Sequence, residues 1–333
     1  MLDEFSTDQT HRPAPTRRRH LRRVLAILTA TVLVLVVGGA AAYLALLNHT
    51  VTSNVKHEAL LPSAQDDPQA PTKDPAAGAA QNILLIGSDS RGAVAGGRSD
   101  VIVLMHVNKD RTKVHLVHFP RDLYVPIPGH GKDKINAAYA YGGAPLLVRT
   151  IQDLVDVPID HVGLIGFEGF KAMTDAVGGV KVYAEESSTG ITKGYNTLNG
   201  EQALAFVRER HELSEGDISR GRRQQAFIKA LMLKGLSRDT LTNPVTLASF
   251  IDAGTRNLTL DKDFSVADLR SEAFGMRGIR GNDIVFITAP FSGFGTSPAG
   301  GSIDVVDQPR MQDLSVALRS DDLAGFPAGK QIP

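Results

Sequence analysis

Residues 82–121, NILLIGSDSRGAVAGGRSDVIVLMHVNKDRTKVHLVHFPR, constrain the fold more than any other part of the chain. A first apolar run, 83–86, delivers an acid-and-arginine loop with Asp89 and Arg91. A glycine-rich turn then delivers Arg98, Ser99 and Asp100, and two further apolar runs end at Pro120 and Arg121. Charge therefore collects where strands end. A sheet that sets two carboxylates and two or three arginines along one rim can hold a divalent metal and a phosphate together, the usual arrangement for phosphoryl chemistry.

Beyond this stretch, apolar runs alternate with amphipathic segments, the pattern of an α/β sandwich. The expected strands are 83–87, 101–107, 114–119, 162–167, 180–183 and 284–288. The expected helices are 144–156, 170–177, 200–207, 217–236, 245–253, 266–274 and 310–319. With 333 residues, 42% of them hydrophobic, the chain can bury one sizeable core or two small ones. Lys+Arg and Asp+Glu balance at 36 each, which leaves no general basic footprint and argues against nucleic acid as a partner. Cysteine is absent, so disulfides, thiol catalysis and cysteine-held metals are excluded. No Walker-type or dinucleotide fingerprint follows Ile86, which argues against a nucleotide.

Ahead of the sandwich, the cluster Arg17-Arg18-Arg19-His20-Leu21-Arg22-Arg23 abuts about 24 uncharged residues, 24–47. As a helix that segment is roughly 36 Å long, enough to cross a hydrocarbon layer of about 30 Å with some tilt. A retained single-pass anchor is favoured over a cleaved signal, because the apolar run continues past the small residues at 38–42. The arginines place 1–23 in the cytoplasm and everything after Asn48 outside. Residues 48–81 are polar and proline-bearing, and read as a flexible linker of roughly 30 Å r.m.s. span. The extracytoplasmic domain then runs over 82–320, and 321–333 is expected to be a frayed tail.

A second constellation lies in LNGEQALAFVRERHELSEGDISRGRRQQ, 198–225, with five arginines in sixteen residues. Residues two apart share a side of a strand but not of a helix, so Arg208 and Arg210 meet one ligand only if the helix ends near Val207. Arg220 and Gln224 are four apart within a helix beginning near Asp217, and share a face. Phe227, Ile228 and Leu231 continue that face. A polar, anion-binding end running into apolar side chains suits a diphosphate attached to a hydrocarbon.

These segments together resemble the LytR-CpsA-Psr family of bacterial envelope proteins. The likeness rests on GSDSR at 87–91, RSD at 98–100, PRD at 120–122, KINAAYAYGG at 134–143, FEGF at 167–170, LNGEQALAFVRER at 198–210 and the R-x-x-R-Q-Q run from Arg220. The resemblance implies a three-layer α/β/α sandwich with a central mixed sheet, preceded by one transmembrane helix. It further implies transfer of a polyprenyl-diphosphate-linked glycopolymer onto a peptidoglycan acceptor with Mg2+, leaving a phosphodiester. By position, Asp89 and Asp100 match the metal-holding acids, and Arg98, Arg121, Arg208, Arg210, Arg220 and Gln224 match residues that grip the diphosphate. Asp89, Asp100, Arg98 and Arg121 form the expected catalytic set, and a carboxylate not fully occupied by metal is the expected proton acceptor.

Plainer readings stand beside these. Asp89 and Arg91 can solvate a turn, Arg208 with Glu209 can be a surface pair, and Asp122 is expected to orient Arg121 rather than touch substrate. His106, His115 and His118 lack metal-ligand spacing and are read as packing or ordinary surface residues, and His211 as shaping the arginine segment. Arg222, Arg223 and the loop 212–216 receive no role. A polyprenyl-diphosphate phosphatase, in which water attacks at the same site, and a non-catalytic envelope regulator or lipid-binding attenuator are the alternative functions.

Overall fold

The structure, a computed structural model, describes residues 17–88 and 99–326. The chain divides into two units, Met1–His49 and Thr50–Pro333. In the first, a single helix, α1 (Arg17–Asn54), carries the uncharged segment, and its portion Leu28–Asn54 is long and apolar enough to cross a membrane.

The second unit opens with β1 (Lys56–Glu58), β2 (Gln81–Ser88), β3 (Ser99–Val107), β4 (Val114–His118), β5 (Leu123–Ile127), β6 (Gly131–Lys134), α2 (Ile135–Val155), β7 (His161–Gly166) and α3 (Phe167–Ala176). There follow β8 (Val180–Ala184), β9 (Gly194–Leu198), α4 (Gly200–Arg208), α5 (Asp217–Gly235), α6 (Arg238–Thr242) and α7 (Pro244–Thr255). Then come β10 (Leu258–Asp261), α8 (Val266–Gly275), β11 (Ile284–Thr288), β12 (Phe291–Thr296), β13 (Ser302–Val306) and α9 (Gln308–Arg319). Seven strands form one mixed sheet in the order β1-β10-β7-β2-β3-β4-β11, with β2 parallel to β7 and antiparallel to β3. A four-stranded sheet, β12-β13-β5-β6, and a β8–β9 hairpin flank it.

The period-2 alternation of the central strands divides their side chains between two faces. Leu84, Ile86, Ile102, Leu104 and Val117 enter one fully buried cluster with Leu147, Val148 and Ile151 of α2 and Leu314 and Leu318 of α9. Leu85, Val101, Val103 and Met105 point the other way, toward α3 and α5. Helices on both faces of a mixed sheet make the expected three-layer arrangement.

Two expected boundaries are corrected. Residues 48–81 are not a featureless linker: β1 pairs with β10, Leu60 is fully buried in the main core, and the buried Asp67 accepts a hydrogen bond from Gln152 Nε2 at 2.9 Å. Proline content misleads here because the segment is fixed by pairing with strands distant in sequence, which local composition does not encode. Residues 321–326 are likewise attached, since Leu323 is buried and Asp321 Oδ1 lies 2.9 Å from His106 Nε2. The expected helix 144–156 is the second part of α2, which breaks at the non-helical Gly142 and Gly143 and is preceded by a further helical stretch from Ile135.

Candidate functional site

One end of the central sheet gathers those candidate residues that are described. Ser88, the last residue of β2, is in register with Ser99 at the start of β3 and with Gly166 at the end of β7. The chain therefore leaves the sheet at Ser88 and re-enters it at Ser99, at the end from which α3 also departs. Asp89, Arg91 and Arg98 lie outside the described residues, as does the side chain of Asp100, whose backbone belongs to β3. The neighbouring Ser99 is fully buried, and its hydroxyl has no hydrogen-bond partner among the described residues.

β4 ends at the same edge, and Phe119 N–H donates to Ile102 O at 2.9 Å, so the PRD segment continues beside the start of β3. Arg121 Nε lies 3.6 Å from Asp122 Oδ2, and Lys134 Nζ lies 2.8 Å from Asp122 Oδ1. Asp122 thus stands between two cations, within ion-pair range of Arg121. Asn136 N–H donates to Arg121 O at 3.2 Å, so the KINAAYAYGG motif supports the arginine from behind.

α4 begins with a capping box, Asn199 with Gln202, and ends at Arg208, where Glu209 is already extended (φ −62°, ψ 132°). That termination frees Arg208 and Arg210 from the constraint of opposite helix faces. The Arg208 guanidinium sits 4.4 Å above the Phe167 ring, the first residue of α3. Glu209 folds back to accept from the N–H groups of His211 (2.6 Å) and Glu212 (3.1 Å), and these bonds hold its carboxyl below the usual range. The backbone carrying Arg208 and Arg210 is thereby fixed. His211 Nε2 is 3.4 Å from Arg210 Nε.

Arg220 and Gln224 are both buried on one face of α5. A Cβ at Gly221 would come within 2.8 Å of His118 Cε1, so only glycine lets α5 settle this closely on the end of β4. Burial, reinforced by the Arg220 cation and opposed by a hydrogen bond with Gln224, lowers the His118 pKa to about 4. His118 is therefore neutral at physiological pH, and the net positive charge beside it belongs to arginine.

Behind this rim lies an apolar cavity of about 310 Å³ between the sheet and the helices α3 and α5. Leu85, Val101, Val103 and Met105 form its floor. Phe167, Phe170, Val207, Phe227, Ile228 and Leu231 cover it, with Gln224 the polar member of the lining. Phe227, Ile228 and Leu231 are the residues the sequence places on the continuation of the Arg220 face. The sequence reading misses the sheet floor and the Phe167 contact, although FEGF was available as a signal.

Arg222 and Arg223 acquire structural roles. Arg222 pairs with Glu185 and Glu215, while Arg223 donates to Ser188 Oγ (3.0 Å) and Glu186 O (2.9 Å) and lies 4.7 Å from the Phe206 ring centre. The loop 212–216 is tied to the same segment through Ser214 N–H to Glu186 and Thr189 to Glu212. His106 is buried between Asn82 Oδ1 (2.8 Å) and Asp321, and His115 is buried with its pKa lowered to about 4 chiefly by burial. Both are packing residues.

Comparison with known proteins assigns this arrangement to a group. A model of the LytR_cpsA_psr family matches residues 43–320. The cell wall biosynthesis protein LcpA of Corynebacterium glutamicum is 30% identical over 283 residues, covering 70% of this chain and 54% of that protein. The chain thus spans about half the length of LcpA. The polyisoprenyl-teichoic acid–peptidoglycan teichoic acid transferase TagU of Bacillus subtilis is 32% identical over 270 residues, covering 78% of this chain and 85% of TagU. A structure of TagT bound to LI-WTA superposes with a TM-score of 0.59 at 30% identity, covering 75% of this chain and 92% of that one.

Proposed function

The chain belongs to the LytR-CpsA-Psr family, and from that premise we propose that it transfers a polyprenyl-diphosphate-linked glycopolymer onto peptidoglycan. The observation that carries this reading is α5 itself, which presents buried Arg220 and Gln224 at the rim and then Phe227, Ile228 and Leu231 along an apolar cavity. A diphosphate on a long isoprenoid needs both surfaces, side by side. Leaving the hydrocarbon in water costs roughly 25 cal/mol per Å² of apolar area, and the guanidinium fork matches phosphate oxygens.

In the proposed step, a peptidoglycan hydroxyl oxygen attacks the phosphorus that carries the polymer. Its bond to the bridging oxygen breaks, polyprenyl phosphate departs, and the hydroxyl proton passes to a carboxylate at the rim. Arg98, Arg121, Arg208, Arg210, Arg220 and Gln224 hold the diphosphate, with Asp122 and Lys134 orienting Arg121. The oxygen-only donor set of Asp89, Asp100 and the Ser99 hydroxyl suits a hard cation such as magnesium. When bound, that ion neutralises charge developing on the leaving group. The anchor places the protein in the cell membrane with residues 1–23 cytoplasmic and the domain outside.

The test is transfer of labelled lipid-linked polymer to peptidoglycan, with and without chelator. Arg121→Ala is expected to lower the rate about thirty- to a thousand-fold, the equivalent of about 2–4 kcal/mol of transition-state stabilisation, with little change in thermal melting. Asp89→Asn and Asp100→Asn should remove the metal requirement together with most activity. Label released only into solution would instead identify a phosphatase. Wild-type rates in both Asp variants would refute metal-assisted transfer.

A further inference from the structure

The β5–β6 hairpin and the first part of α2 carry an aromatic pair that the transfer step above does not use. The hairpin turn at 127–131 is held by Gly129 (φ 77°) and Gly131 (φ 73°), left-handed values that side chains resist. His130 N–H donates to Ile127 O at 2.9 Å and closes the turn, which sets His130 at the tip. Its ring stacks on that of Tyr141, with centroids 4.6 Å apart and planes 13° from parallel. Tyr141 Oη donates to Asp133 Oδ2 at 2.6 Å, so the phenol is located at its edge as well as on its face.

This pair lies outside every buried cluster: Tyr141 keeps 46% of its surface exposed, and His130 is exposed too. A tyrosine that served only to fasten the hairpin would gain more by burying its ring. The pair is also connected to the rim. Asp133 adjoins Lys134, whose ammonium meets Asp122, which in turn stands within ion-pair range of Arg121. A flat aromatic surface with a carboxylate at its edge, reached along the chain from a phosphate-gripping arginine, has the chemistry of a sugar seat. The axial C–H face of a pyranose packs on an aromatic ring, and its hydroxyls donate to the flanking carboxylate.

We propose that Tyr141, His130 and Asp133 form a saccharide subsite that seats a pyranose ring of one of the two glycans joined at the rim. The inference rests on the transfer reading for the identity of those glycans, but not for the binding itself. Donor polymer and peptidoglycan acceptor offer the same ring chemistry, and kinetics separates them.

The full chain in detergent, with Tyr141→Ala, Tyr141→Phe and His130→Ala variants, is assayed for steady-state transfer and for saturation-transfer NMR to chitotetraose, a soluble pyranose probe. Tyr141→Ala should raise KM for one glycan substrate about ten-fold with kcat within two-fold and an unchanged melt, whereas Tyr141→Phe, which keeps the ring face, should restore KM. The substrate whose KM moves identifies the source of the sugar. Unchanged KM for both substrates overturns the proposal. So does equal impairment of the Ala and Phe variants with lowered melting, which makes Tyr141 a hairpin tie. Tyr141-dependent saturation of chitotetraose in a wild-type chain that transfers nothing would sustain the subsite while removing the transfer reading.

Discussion

At the scale of single residues, His118 links folding to pH. Its pKa is near 6.5 in an unfolded chain and about 4 in the folded one, where burial and the adjacent Arg220 disfavour the imidazolium. Between those values the unfolded state binds a proton that the native state refuses. Stability is therefore complete above about pH 6.5 and is lost as pH falls toward 4, by up to about 3 kcal/mol. His115 adds a second contribution of the same sign, because its pKa also falls to about 4. Urea unfolding at pH 7 and pH 4.5 should show a steep loss in the wild type and a distinctly smaller one in His118→Gln. Identical pH slopes in the two proteins would mean that His118 is not held neutral. The neighbouring Gly221 belongs to the same unit: without a side chain it admits the imidazole that α5 covers.

At the scale of elements, α5 joins two chemistries because its length carries one face from the rim to the cavity. Ile228 lines that cavity, so Ile228→Trp should fill it while leaving the rim untouched. The expected outcome is an unchanged or slightly raised melting temperature together with loss of co-purifying polyprenyl phosphate by mass spectrometry. Lipid retained at wild-type levels would place the hydrocarbon elsewhere. The polar half of this helix was legible from sequence, since Arg220 and Gln224 at i and i+4 can only share a face if the segment is helical. The cavity floor was not. Leu84 and Leu85 are the same residue type on opposite faces of β2, one sealed under α2 and α9 and the other facing open volume. Apolar identity records that a face is covered, not whether its partners fill the space. Strands follow a similar division. β2, β3, β4, β7 and β11 announce themselves as apolar runs, whereas β1, β6 and β12 are short or half-exposed and exist through their partners, β1 through the distant β10 and β6 and β12 through the hairpin neighbours β5 and β13.

At the scale of the whole molecule, the apolar helix and the domain answer to one property of the proposed donor: a polyprenyl chain confines it to a bilayer. A catalyst held at that bilayer meets the donor at an effective concentration set by its tether rather than by bulk dilution. The benefit exists only if the domain and the diphosphate share a side. Orientation is therefore the quantity on which the proposed function depends, and it is carried by Arg17, Arg18, Arg19, Arg22 and Arg23, all on the N-terminal flank of the uncharged segment. Such clusters stay cytoplasmic, and a single span then sends everything after it outward. A reporter active only in the cytoplasm, fused after Pro333, should be silent, and one active only outside should report strongly. Replacing the five arginines by glutamine should weaken that asymmetry without touching the domain's fold, which is readable as unchanged melting. Strong cytoplasmic activity from the wild-type fusion would separate the domain from any external acceptor, and the transfer function would fail with it.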